Sequence, residues 1–157
     1  MSRFSMHRNL ALVALIDPER GEARAFHVMS ATRKTLRDLL VTNASRKSIL
    51  VTEDASLYRK LGPEFAAHKK VRHTAYIYVT KDGFTTNAVE NFFSIFKRGM
   101  RGVYQHFSEA HLQRCLHEFD FRYTYRHLDD TERTAQIIRQ SAGKRLTCRR
   151  TGQASYA

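Results

Sequence analysis

Residues 85–102, TTNAVENFFSIFKRGMRG, contain the sequence pattern that decides the fold. When the residues are advanced at about 100° each, the apolar side chains fall within one narrow stripe, as in an amphipathic α-helix. The pattern predicts a helix that begins at Thr86 and is ended by the GMRG segment. The stripe consists of Val89, Phe92, Phe93, Phe96 and Met100.

Glu90 is the one carboxylate in this stretch. On the helical wheel it lies about 100° from Val89, at the edge of the apolar stripe, and Lys97 returns to nearly the same angle. We expect such a carboxylate to be partly desolvated, to lie beside a cation and to point toward a neighbouring strand end.

The first part of the chain predicts a β-hairpin followed by a helix. LALVALI, residues 10–16, is an apolar run of strand length, DPERG supplies turn residues, and EARAFHV, residues 22–28, alternates. Ser30 can cap the helix that follows, and this helix is expected to end near Asn43.

The middle of the chain switches between strand and helix signals. SILVT, residues 48–52, predicts a short strand with Glu53 and Asp54 at its carboxyl end, where open α/β sheets hold their ligands. ASLYRKLG, residues 55–62, predicts a short helix, and VRHTAYIYVT, residues 71–80, predicts another strand.

Two more helices are predicted after residue 102. Ser108 caps the first, which repeats the apolar stripe, and the second covers residues 131–141 and stops at Gly143. The order of elements predicts one α/β domain, residues 1–143, followed by a basic tail, residues 144–157, that we expect to fray.

The charge balance indicates a polyanionic partner. The 157 residues include 27 Lys and Arg against 15 Asp and Glu, a net charge of +12, and nucleic acid is the expected partner of such a surplus. No apolar run approaches the roughly 20 residues of a membrane span. Cys115 and Cys148 lack metal-site spacing, so we interpret them as reduced thiols of a cytoplasmic protein.

The acids at the strand end and on the helix are candidates for one metal site. Mg²⁺ prefers oxygen ligands and takes one or two carboxylates together with water and substrate phosphate. If Glu90 converges with Glu53 or Asp54, bound Mg²⁺ or Mn²⁺ would activate a water or a 3′ hydroxyl for attack on a phosphodiester. The basic side chains placed to bind DNA phosphates are His73, Lys97, Arg98 and Arg101.

Two closely spaced motifs, TNAVE at residues 86–90 and FSIFKRG at residues 93–99, are specific. With residues 51–73 before them and residues 132–150 after them, they make the chain similar to the catalytic domain of bacterial insertion-sequence transposases of the DDE type. The resemblance implies a ribonuclease-H-like mixed sheet flanked by helices, with further helices at the C-terminal end. It also implies a divalent metal ion, and cleavage of DNA strands at element ends followed by their transfer to target DNA.

Position by position, Glu90 matches the family's final catalytic carboxylate, which is also a metal ligand. Asn87, Lys97, Arg98 and His73 match accompanying positions, which implies that they support the DNA or the metal site.

The middle acid of the family normally follows Thr in the order Asp-Glu, whereas this chain has Glu53 and Asp54 after Thr52. Successive strand residues point to opposite faces, so either Glu53 replaces the shorter acid or the chain slips so that Asp54 serves. The strand is expected to end at this point, which favours Asp54 over Glu53 as the middle acid.

The family's first catalytic Asp would lie on a strand before the hairpin, and residues 1–9, MSRFSMHRN, contain no acid. Asp17 could substitute only if the hairpin turn reached the strand ends, and before Pro18 it has the pattern of a turn former. We therefore expect a sheet that lacks its usual first strand, in a truncated transposase with impaired cleavage. The alternative is a non-catalytic DNA-binding remnant of a disrupted transposase, acting as a homo-oligomer or with an upstream fragment.

Overall fold

The computed structural model describes residues 3–6, 10–53, 56–58, 61–71, 82–104 and 109–144, with the side chains of residues 3–6 and 10 left aside. The predictions for Asp54, His73, Ser108, Cys148 and most of the basic tail lie outside these residues. The described part is a mixed α/β structure with two small sheets and four α-helices. Within it, no helix has the length and apolar character needed to cross a membrane.

The predicted hairpin is confirmed as strands β2 (Leu10–Asp17) and β3 (Glu22–Val28), which pair antiparallel. The carboxylate of Asp17 accepts hydrogen bonds from the backbone N–H groups of Glu19 and Arg20 at 3.0 and 3.2 Å. Asp17 is therefore a turn former, as its position before Pro18 indicates.

The expectation that no strand precedes the hairpin is wrong. Strand β1 (Arg3–Met6) pairs antiparallel with β2, from Arg3 opposite Val13 to Met6 opposite Leu10. A free strand edge offers a row of unpaired backbone donors and acceptors, and a short preceding segment can satisfy them whatever its side chains. This strand contains no acid.

Helix α1 (Arg33–Asn43) follows the hairpin and ends where the sequence predicts. Its N-cap is Thr32 and not Ser30, because the hydroxyl of Thr32 accepts the hydrogen bond from the N–H of Thr35 at 3.2 Å. The bidentate ion pair of Arg37 with Glu64 joins α1 to the turn formed by Gly62–Glu64, at 2.7 and 2.9 Å.

Strands β4 (Ile49–Glu53) and β5 (Ala67–Val71) form a parallel pair. The helix predicted for residues 55–62 is wrong: the described residues there form short 3-10 turns, Ser56–Tyr58 and Gly62–Glu64. Pro63 lies at the start of the second turn, where its fixed φ and missing N–H are tolerated. The predicted strand begins earlier than expected, and its residues 72–80 lie outside the described part.

Helix α2 (Asn87–Gly99) confirms the amphipathic pattern, and α3 (Glu109–Thr124) and α4 (Asp130–Ser141) follow it. Helix α2 ends at Gly99, the first residue of the predicted GMRG break, and the chain continues into a π-helical turn, Met100–Tyr104. Helix α4 begins one residue before the prediction, at a capping box formed by Asp129 and Glu132.

Strand β2 is buried on both faces and separates two apolar clusters. Leu12 and Ala14 face the aromatic side of α2 and α3, whereas Val13 faces α1 and the region of β4. This arrangement places α2 against the antiparallel sheet. The buried side chains on the α2 and α3 side include Phe92, Phe96, Leu116, Phe119 and Tyr123.

Polar side chains of α3 cover the outer edge of β3. The backbone N–H groups of Ala23, Ala25 and His27 donate to Thr124, Asp120 and Gln113 at 3.1, 3.0 and 2.9 Å. These three donors are alternate residues of β3, so one helix face satisfies the edge that the hairpin leaves open.

Candidate active site

Glu90 lies in the first turn of α2 and is held by the residue that begins the helix. Thr86, only 2% exposed, is the N-cap position, and its hydroxyl donates to Oε1 of Glu90 at 3.1 Å. The backbone N–H of Glu90 in turn donates to the carbonyl oxygen of Thr86 at 3.1 Å. The positive end of the helix dipole also favours an ionised carboxylate in this turn.

The prediction that Glu90 is partly desolvated is wrong, because its side chain is exposed. The buried stripe runs through Val89 and Phe93, and Glu90 lies outside it with the exposed Asn91 and Ser94. The buried hydroxyl therefore orients a carboxylate on the exposed side of α2.

Glu53 is the last residue of β4 and pairs with Val71 of β5. Behind it, the fully buried Thr52 donates its hydroxyl proton to the carbonyl oxygen of Glu53 at 2.9 Å. The Thr52 hydroxyl also lies 2.9 Å from Nε2 of His68. A hydroxyl has only one proton to donate, and Thr52 donates it to Glu53. The second hydrogen bond therefore forms when Nε2 of His68 is protonated and donates to the Thr52 hydroxyl oxygen.

Gly62 makes room for His68 at this strand end. A Cβ atom at position 62 would lie 2.8 Å from both Cβ and Cγ of His68 and closer still to Nδ1. Gly62, His68 and Thr52 thus form one packed series that fixes the end of β4. Local patterns do not predict these three roles, since a Gly-Pro dipeptide such as that at residues 62–63 is typical of a turn.

The predicted DNA-binding residues lie at both ends of α2. Asn87 is the exposed first residue, and its N–H donates to the hydroxyl of Thr85 at 3.1 Å. Lys97 and Arg98 occupy the last turn, and Arg101 lies in the π-helical turn. In the part of the chain that the structure describes, the exposed Arg98 and Arg101 have no ion-pair partner.

The carboxylates that are described supply suitable donors for a hard divalent ion. Glu53 and Glu90 offer oxygen ligands, and Mg²⁺ needs only one or two protein carboxylates because it retains several waters. Among the described residues, no group of three or more His, Cys, Asp or Glu side chains could hold a metal ion. The donor chemistry fits Mg²⁺ or Mn²⁺, and the remaining candidate, Asp54, lies outside the described residues.

The family of ISXO2-like transposase domains matches residues 5–124. The matched segment includes every described strand in whole or part, together with α1, α2 and α3, and thus both Glu53 and Glu90. The chain belongs to the ISXO2-like transposase family. The match confirms the resemblance to DDE-type insertion-sequence transposases. Searches among curated proteins and among solved structures gave no match.

Family membership establishes the general role of the transposase domain, which is DNA transposition. Transposases of this type bind DNA and generally use divalent metal ions. The match ends at Thr124, the last residue of α3, so α4 lies beyond it.

Proposed function

We propose that the transposase domain cleaves phosphodiester bonds at the ends of an insertion element and transfers the freed strands to target DNA. We also propose a ribonuclease-H-like arrangement. The element order supports it: three antiparallel strands, a helix and a parallel strand pair precede the helix that contains Glu90.

In this proposal Glu90 and either Glu53 or Asp54 hold Mg²⁺ or Mn²⁺. A divalent ion bound there would activate the attacking oxygen and stabilise the charge on the leaving oxygen. Thr86 keeps the Glu90 carboxylate at one orientation, and the series Gly62, His68 and Thr52 fixes the strand end beside the second acid. The basic residues then position the DNA strands by their phosphates.

The observation that supports the proposal best is the setting of Glu90. It lies within the family match, in the first turn of α2, and a buried threonine orients it although it is exposed. A carboxylate that served only helix stability would need no such anchor, since the dipole and solvent suffice.

Nicking of supercoiled plasmid DNA in Mn²⁺ tests this function. We expect Glu90→Gln to lower the nicking rate by about 100-fold or more, because a ligand that stabilises transition-state charge is lost. Asp54→Asn and Glu53→Gln are compared to identify the middle acid. Glu19→Gln, which changes an exposed acid of the hairpin turn, is the control and should nick at the wild-type rate.

Equal nicking by wild type and Glu90→Gln would contradict the proposal. EDTA should abolish the wild-type reaction completely. Activity that survives EDTA would point to a contaminating nuclease or to metal-free chemistry.

A second candidate function is DNA binding without cleavage by this chain alone. The observation that favours it is that β1, the strand before the hairpin, contains no acid. The Asp-bearing strand would then come from a second polypeptide, because every copy of this chain in a homo-oligomer has the same acid-free β1. DNA affinity that falls steeply with salt, with no nicking under any metal, is the expected result for this candidate.

We place the action of the domain in the cytoplasm.

A further inference from the structure

No contact among the described residues explains the glycine at position 102. It lies in the π-helical turn, is exposed, and is not among the glycines with positive φ. In the described part of the chain, a Cβ atom at this position would meet no atom within 4 Å outside the backbone of its own helix. Glycine destabilises helical backbone relative to alanine. At position 102 it therefore lowers the stability of the helix, and no contact among the described residues explains it.

Gly99, three residues earlier, is explained by side-chain packing. A Cβ atom there would lie 2.9 Å from Cε1 of Phe119 and closer still to Cζ. Phe119 is buried and packs edge-on against Phe96, with ring centroids 5.1 Å apart. Packing against Phe119 therefore requires Gly99, whereas no residue that the structure describes requires a glycine at position 102.

Gly102 ends a row of exposed residues that begins at the candidate catalytic carboxylate. Glu90, Ser94, Arg98 and Gly102 follow one another at four-residue spacing, and all four are exposed. Twelve residues at 1.5 Å rise extend about 18 Å along the helix. That length corresponds to about five phosphates of one duplex strand.

The surroundings of Gly102 fit a polyanion. Arg98 and Arg101 flank it, and within the described residues neither has an ion-pair partner. The chain has a net charge of +12, so these two cations add to an unbalanced surplus. Free guanidinium groups beside a backbone with no side chain are suited to charged hydrogen bonds with phosphate oxygens.

We propose that Gly102 is the point where one DNA strand passes directly against the main chain, and that the exposed row leads this strand to Glu90. The absence of a Cβ lets the sugar-phosphate backbone approach the helix closely, within reach of Arg98 and Arg101. This inference rests on the proposed function, because it assumes that the partner is DNA.

Binding of the full-length protein to a fluorescein-labelled 30-base-pair duplex, followed by anisotropy in EDTA, tests the inference. The variants are Gly102→Ala and Gly102→Leu. The control is Thr131→Leu, which places the same leucine side chain at another exposed site, on α4. EDTA removes catalysis, so the readout is independent of whether the domain cleaves DNA.

We expect Gly102→Leu to weaken binding by about tenfold and to lower the slope of log affinity against log salt by about one or two phosphates. Gly102→Ala should weaken binding by a smaller factor while the melting temperature stays equal to or above that of wild type. Thr131→Leu should bind as wild type does.

Affinities of both Gly102 variants within twofold of wild type, with an unchanged salt slope, would overturn the inference and leave the proposed function intact. A wild-type protein that binds no DNA would overturn both. If Gly102→Leu instead changes the oligomeric state by sedimentation and not the DNA affinity, the surface contacts protein and the inference is wrong.

Discussion

The hydroxyl of Thr86 donates a hydrogen bond to Oε1 of Glu90 at 3.1 Å, so a side chain that is 2% exposed orients a carboxylate that faces solvent. The carbonyl of Thr86 also accepts the N–H of Glu90. The side chain of Thr86 therefore orients the first acid of α2, although it makes no capping hydrogen bond to the helix backbone. The direction of the candidate catalytic group is fixed once the helix has formed.

Replacing Thr86 with valine keeps the shape of the side chain and removes the hydroxyl. We expect an unfolding free energy lower by about 1 kcal/mol, because one hydrogen bond in a buried setting is lost. The nicking rate in Mn²⁺ should fall by about 10- to 100-fold, as for other residues that orient a metal ligand. Urea unfolding and plasmid nicking measure the two effects.

Thr42→Val is the control for this change, because its hydroxyl bonds only the backbone carbonyl of Asp38 at an exposed site. It should alter neither stability nor nicking noticeably. Wild-type nicking by Thr86→Val would mean that the hydrogen bond to Glu90 has no part in the reaction.

Gly99, just before the π-helical turn, and Gly102, inside it, should respond to alanine in opposite ways. Gly99→Ala forces a methyl group into the ring of Phe119, and overpacking of this kind costs about 1–3 kcal/mol. Gly102→Ala adds a methyl group in open space and should leave stability equal or higher by up to about 1 kcal/mol. Thermal unfolding measures both variants. Melting temperatures that move in the same direction would contradict the prediction.

Asp120 should make the stability of the domain depend on pH. Its Oδ2 accepts the N–H of Ala25 at 3.0 Å, and its buried Oδ1 has no partner among the described residues. Burial is the largest cause that raises the pKa of Asp120 from 3.8 to about 7, against the opposing effects of the Ala25 N–H and Arg24. In the folded state this carboxyl therefore binds its proton more tightly than in the unfolded chain.

The folded state holds more protons than the unfolded state between these two pKa values, so the contribution of Asp120 to stability is present below pH 4 and is lost as pH rises to about 7. Asp120→Asn keeps an acceptor for Ala25 and does not titrate. Its unfolding free energy relative to wild type should rise from pH 4 to pH 8 by about 1–2 kcal/mol, a figure reduced for partial exposure. A pH-independent difference would show that the carboxyl is not desolvated.

The series Gly62, His68 and Thr52 can be tested at its tightest point. Gly62→Ala would place a methyl group on the imidazole of His68, so the ring must move and its contact with Thr52 must lengthen. We expect a loss of about 1–3 kcal/mol in unfolding free energy, together with slower nicking. Ala66→Gly, an exposed change two residues before His68, serves as the local control. Equal nicking rates of the two variants would show that the packing of Gly62, His68 and Thr52 has no effect on the reaction.

Local patterns in the sequence predict the elements that local forces determine. The hairpin and α2 follow from apolar spacing and turn residues, and Asp17 acts as the turn former that its position before Pro18 indicates. The π-helical turn after Gly99 does not follow from them, and neither does the need for glycine at that position, because the ring of Phe119 that a Cβ atom would meet lies twenty residues further along the chain.

Local sequence patterns predict only part of the candidate site, because the rest depends on contacts between residues far apart in the chain. Glu90 stands out by its motif, but its exposure depends on which side of α2 packs against β2 and α3. The contact between Thr52 and His68 joins two parallel strands across a connection that local rules misassign as a helix. The role of Asp120 at the edge of β3 does not follow from local patterns, because the polar positions of an amphipathic helix ordinarily face solvent.

The central claim is that Glu90 and the acid at position 53 or 54 bind one divalent ion. Replacing Mg²⁺ with Fe²⁺ and adding ascorbate and peroxide generates radicals that cut the protein backbone next to the bound metal. We predict cuts at residues 53–54 and near residue 90 of the same chain, both lost in Glu90→Gln and both retained in Glu19→Gln. Cuts at only one of these segments, or cuts that persist in Glu90→Gln, would contradict the shared site.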